Sequence, residues 1–169
     1  YVAPLGGEKQ QEFPLASWAQ PDNPDWRVQK VPGGKWRFAC INSPRREQVL
    51  AVAREIIEGY HPDGFHLDMC FNDCVCVCDY CRPALERICG TSDITLDVVN
   101  AHWREFVDWR NECSASLVGE VSAMLREHGV FAAHNGQNPL WLSPIYGFDR
   151  NLLPHLDPYV SEIFYDLHM

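Results

Sequence analysis

The sequence predicts an α/β protein built from parallel βα units. Three observations carry that reading. Short apolar stretches with strand-like alternation recur along the chain, and helix-period segments separate them. The polar residues with chemical potential fall where those short stretches end. No G-x-G-x-x-G follows any of the strands, which weakens a dinucleotide-binding reading. The right-handed crossover rule leaves two architectures, a doubly wound sheet or part of a (β/α)8 barrel.

The elements follow in order. Tyr1 to Pro4 reads as the tail of a strand. From Leu5 to Gly34 the chain is rich in Pro, Gly and polar residues, with Trp18 and Trp26 embedded, and reads as a long ordered loop. Ser43 and Pro44 form a helix-start signal, with Ser43 as N-cap and Pro44 at the first helical position. Val49, Ala53, Ile56, Ile57 and Tyr60 then recur at helical spacing, and Gly59 and Pro62 end the helix. In the next strand, Gly64 to Met69, alternation puts Phe65, Leu67 and Met69 on one face and Gly64, His66 and Asp68 on the other. A short helix from Pro83 to Cys89 closes on Gly90, and a long one runs from Val99 to His128 before Gly129. Val130 to Asn135 and Tyr159 to Ile163 complete the strands, with a Pro-, Gly- and aromatic-rich loop from Gly136 to about Pro154.

Composition bounds the function. The 169 residues suit a single domain, 1–169, with 46% hydrophobic and 22% charged residues. A formal net charge of -9 argues against nucleic acid as a partner, because phosphate binding needs a basic face. It argues equally against docking on an anionic membrane, and no run approaches the ~18 apolar residues that a membrane span requires.

The eight cysteines are unevenly placed: five fall between Cys70 and Cys81, with Cys40, Cys89 and Cys113 outside. Such close neighbours are poorly placed to pair as disulfides but well placed to share a metal ion. Cys76, Cys78 and Cys81 supply three thiolates in one turn-sized segment, and Cys40, Cys74 and Cys70 are candidates for the fourth. A closed four-thiolate shell leaves no open position for water, so the metal, zinc by ligand type, is structural. Reduced thiols imply a reducing compartment, the cytoplasm.

Candidate chemistry gathers at strand ends, where parallel α/β sheets place their active sites. These ends carry Asp68, Glu162, and His134 with Asn135, the latter two as candidate sugar contacts. Neighbouring parallel strands stand about 4.8 Å apart, so carboxylates two strands apart start from backbones roughly 10 Å apart. Inward-pointing side chains shorten that gap toward the ~5 to 9.5 Å of glycoside hydrolysis. His66, one pleat below Asp68, can orient it, and Trp141 can stack on a sugar ring.

The segment from Cys40 through Ile41, Asn42 and Ser43 to Pro44, then Asp63 to Asp68, then Cys76, Cys78, Cys81 and Arg82, resembles barrel glycoside hydrolases of the β-galactosidase family 42 type. It resembles still more closely the bacterial "hypothetical glycosyl hydrolase" and α-L-fucosidase-like proteins, which Pro24, Asp25 and Trp26 also match. The resemblance implies a partial (β/α)8 barrel spanning roughly strands 3 to 6, hence a fragment of a bacterial, cytoplasmic enzyme. It implies a structural zinc on Cys40, Cys76, Cys78 and Cys81. It implies a retaining glycosidase with a carbohydrate substrate and Asp68 as nucleophile, and leaves room for a homo-oligomer. Family 42 enzymes end this strand with Asn-Glu, where Met69 and Cys70 stand here. That departure removes their general acid and leaves Glu162 as the acid/base candidate. The competing class is a non-catalytic carbohydrate-binding or zinc-stabilised scaffold protein.

Overall fold

The computed structural model describes residues 27–29, 35–67, 75–137, 153–157 and 159–162. The expected first strand, Tyr1 to Pro4, lies outside the described residues, as do Trp18, Trp26, Asp68, Met69, Cys70, Cys74 and Trp141. The elements run β1 (Arg27–Gln29), β2 (Lys35–Ala39), α1 (Arg45–Tyr60), β3 (Gly64–Leu67), α2 (Arg82–Cys89), α3 (Leu96–Ala101), α4 (Trp103–Glu127), β4 (Phe131–Gln137) and β5 (Tyr159–Glu162).

A three-stranded sheet in the order β3-β4-β5 is parallel throughout. Gly64 pairs with Phe131 and Leu67 with His134, and the next pairing sets His134 beside Tyr159 and Gln137 beside Glu162. The chain therefore makes parallel βα units, as its alternating periods imply. Closure into a barrel is not a property of these three strands.

One core joins sheet and helices. Phe65, Leu67 and Ala132 from the strands pack with Val49, Ala53 and Ile57 of α1 and with Leu117, Val118, Val121 and Leu125 of α4. The alternation in β3 is the cause: Phe65 and Leu67 are buried while Gly64 and His66 are half-buried. A second, smaller core gathers Val75, Leu85, Cys89, Val99, Phe106 and Val107 between the post-β3 loop, α2, α3 and the start of α4.

Four expectations need correction. The stretch read as loop through Gly34 contains β1, which pairs antiparallel with β2. Strand β2 itself passes unmarked because Lys35 and Arg37 dilute its apolar signal over only five residues. Helix α1 starts at Arg45 with Pro44 at the cap. Ser43 sits one step earlier, its hydroxyl donating to the Cys40 carbonyl at 2.7 Å and accepting from the Arg45 N–H.

The same helix runs through Gly59 to Tyr60, and Tyr60 is 78% exposed rather than part of the apolar face. Its left-handed cap is His61, φ 46°, whose N–H reaches the Ile57 carbonyl at 3.1 Å. The long helix is two helices, broken at His102. Thr95 caps α3 through the Val98 N–H, as a threonine before a helix can. The apolar period continues across the break because Val99 and Phe106 enter the same small core. Periodicity records the direction of burial and says nothing of the dihedrals between turns.

A candidate metal centre beside the strand ends

Cys40 leaves the end of β2 and is fully buried. A tight turn follows it, with the Ser43 N–H on the Cys40 carbonyl at 3.0 Å. The other thiols come from the segment that enters α2. The Cys78 carbonyl accepts from the N–H groups of both Cys81 and Arg82 at 2.9 Å, which curls the chain and turns the side chains inward. Pro83 sits in the first turn of α2, where its missing N–H costs nothing.

These two segments bring Cys40, Cys76, Cys78 and Cys81 together, all buried and all free thiols. Their sulfurs lie within 4.8 Å of one another, with Cys40 and Cys81 at 3.3 Å. Four thiolates at about 2.3 Å from a central zinc stand about 3.8 Å from each other, so the cluster has the right size for one tetrahedral ion. Trp109 of α4 packs against it. This arrangement can hold a metal ion, and Cys40 is the fourth member among the described residues.

The electrostatics fit the same use. Hydrogen bonding from Cys40, then from Cys76 and Cys81, pushes the Cys78 thiol far below its usual range. Cys76 is also lowered, chiefly by Cys40. Cys81 is pushed far above its usual range by Cys40, Cys76 and Cys78, and Cys40 is raised by Cys76 and Cys78 and by burial. The opposite directions within one cluster reflect a single cause: four adjacent anions repel one another, so full deprotonation of the empty cluster is opposed. A divalent cation held by the four sulfurs would relieve that repulsion and favour the thiolate forms.

At the strand ends, β3 closes at Leu67, and Asp68, the next residue in sequence, is outside the described residues. Strands β3 and β5 flank β4, so Glu162 belongs to a strand two positions from that of His66. Glu162 stands level with Gln137, three residues beyond the His134 level. Asn135 pairs with Val160. His66 is half-buried on the face away from the helices. His134 is fully buried and shares the helix-covered face with Ala132 and Leu67, so the two histidines lie on opposite faces of the sheet.

Sequence reasoning did not assign any part in the thiol cluster to Asn42 or Trp109. The Asn42 N–H donates to Cys40 Sγ at 3.4 Å, and its side-chain Nδ2 donates to Cys81 Sγ at 3.4 Å. Its place two residues after Cys40 was the available signal.

Fold and site together define a parallel α/β unit carrying a buried tetrathiol cluster. Its backbone is similar to that of α-L-fucosidase isoenzyme 2 from Paenibacillus thiaminolyticus, with a TM-score of 0.51 at 18% identity. The likeness covers 79% of this chain and 20% of that one, so the chain spans one fifth of the length of the structure it matches. At that identity the likeness concerns the fold. No protein-family profile and no curated protein sequence matches the chain. No described helix is long and apolar enough to cross a membrane.

Proposed function

We propose that the chain forms part of a (β/α)8 glycoside hydrolase that cleaves terminal glycosidic bonds with retention of configuration. The observation that carries the proposal is the parallel order β3-β4-β5 in a fold similar to a fucosidase, with carboxylates at the ends of the two outer strands in sequence. In this reading the Asp68 carboxylate attacks the anomeric carbon as the bond to the leaving oxygen breaks, giving a glycosyl ester. Glu162 protonates that oxygen and then takes a proton from the water that hydrolyses the ester. His66 and Asn135 contact the sugar, and Trp141 stacks on it. Of the expected sugar contacts, His134 is fully buried on the helix-covered face, opposite His66.

Zinc on Cys40, Cys76, Cys78 and Cys81 is a brace in this scheme. Four protein sulfurs fill a tetrahedron, so no position remains for a reacting water or sugar oxygen. The ion would cross-link the end of β2 to the segment that enters α2.

The test is Asp68→Asn in the full-length protein, assayed against a panel of aryl glycosides. Turnover should fall by at least about 10³-fold, in line with removal of a covalent nucleophile, with an unchanged circular dichroism spectrum. Retained turnover would exclude Asp68 as nucleophile. Sugar binding without turnover in the unaltered protein would instead favour the scaffold class.

A further inference from the structure

Buried thiolates need donors. A divalent ion inside four thiolates leaves a formal charge of about -2, and the four cysteines here are at most 3% exposed. Among the described residues outside the cluster, Asn42 provides hydrogen bonds to two of its sulfurs, from two different groups. Its main-chain N–H reaches Cys40 and its side-chain amide reaches Cys81, each at 3.4 Å.

Cys40 and Cys81 are 41 positions apart in sequence. One residue therefore bridges the two segments that build the site. The turn holds Asn42 in place, since both the N–H and the hydroxyl of Ser43 close onto the Cys40 carbonyl. Facing a sulfur anion, an amide offers its NH2 and not its carbonyl.

We propose that Asn42 is a positioning residue for the metal centre, neutralising part of the sulfur charge and setting the geometry of Cys40 and Cys81. The inference rests on reading the cluster as a metal site. Outer-shell partners of this kind typically contribute about 10- to 100-fold in metal affinity. Aspartate keeps the shape of Asn42 but turns a donor into an anion. Leucine has similar bulk and removes the donor. Glutamine retains the amide.

Cobalt(II) alone, titrated into the reduced, metal-free full-length protein, reads both the affinity and the sulfur electronics. The unaltered protein should take up one equivalent and show tetrahedral cobalt–thiolate absorption. In Asn42→Asp and Asn42→Leu, affinity should fall about 10- to 100-fold. The sulfur-to-cobalt charge-transfer band should move to longer wavelength, because a thiolate without its donor holds its lone pairs less tightly. Asn42→Gln should recover part of both. If Asn42→Leu does not fold, the isosteric Asn42→Asp carries the same expectation. A purely structural role would lower affinity without moving the band. Wild-type affinity and band position in the Asp and Leu variants would overturn the inference. No cobalt uptake by the unaltered protein would overturn the metal reading itself.

Discussion

The two cores of this molecule are held by different physics. Beneath the sheet, α1 and α4 bury fifteen of the described residues in one apolar cluster that includes both inward positions of β3. Beside it, Val75, α2, α3 and the start of α4 gather six buried residues among those described, and the thiol cluster sits at its margin with Trp109 between. A small apolar cluster cannot offset the conformational entropy of some thirty ordered residues by burial alone. On the proposed reading, an ion on the four cysteines would tie the entry of the smaller core to β2.

Removing the ion should therefore break one region and spare the other. The double variant Cys76→Ser with Cys78→Ser is expected to lose metal and amide-exchange protection across α2 and α3, while α4 beyond Leu117 and β4 stay protected. Uniform loss across both regions would show that the small core is integral to the whole fold. Substituting Leu67→Ala attacks the other side of the comparison. A fully buried leucine there should cost about 2 to 5 kcal/mol in denaturant unfolding, with metal content unchanged.

Smaller effects refine the contrast. Thr95→Ala removes the cap of α3 and should cost about 1 kcal/mol, read as faster exchange in α3 before any global loss. His61 occupies the left-handed cap of α1 at φ 46°. His61→Gly should raise the midpoint of thermal unfolding slightly, by relieving a strain of roughly 1 kcal/mol.

How much of this was legible in the sequence depends on the kind of signal. Strand β3 was readable because Phe65 and Leu67 alternate with polar or small partners and both reach the core. Helix α2 was readable from Pro83 and Gly90, which punctuate it at both ends. Strand β2 and the break at His102 were not, since neither a five-residue strand with two cations nor a change in dihedral leaves a compositional mark. The metal-site cysteines Cys76, Cys78 and Cys81 declare themselves by spacing. Spacing alone left Cys40, 36 positions before Cys76, as one of three candidates with Cys70 and Cys74; the resemblance of its Cys40-to-Pro44 segment selected it, and the fold brings it into the cluster. Asn42 required hydrogen bonds that spacing does not show. The place of His134 depended on register, since one residue along a strand decides which face a side chain occupies.

On the proposed reading the four cysteines form a closed metal centre that ties the end of β2 to the segment entering α2. Its most direct test is elemental analysis of the purified, reduced full-length protein by plasma mass spectrometry. About one zinc per chain is expected, retained on gel filtration and absent from the Cys76→Ser, Cys78→Ser variant. A folded, metal-free protein whose α2 and α3 are as protected from exchange as α4 would contradict it.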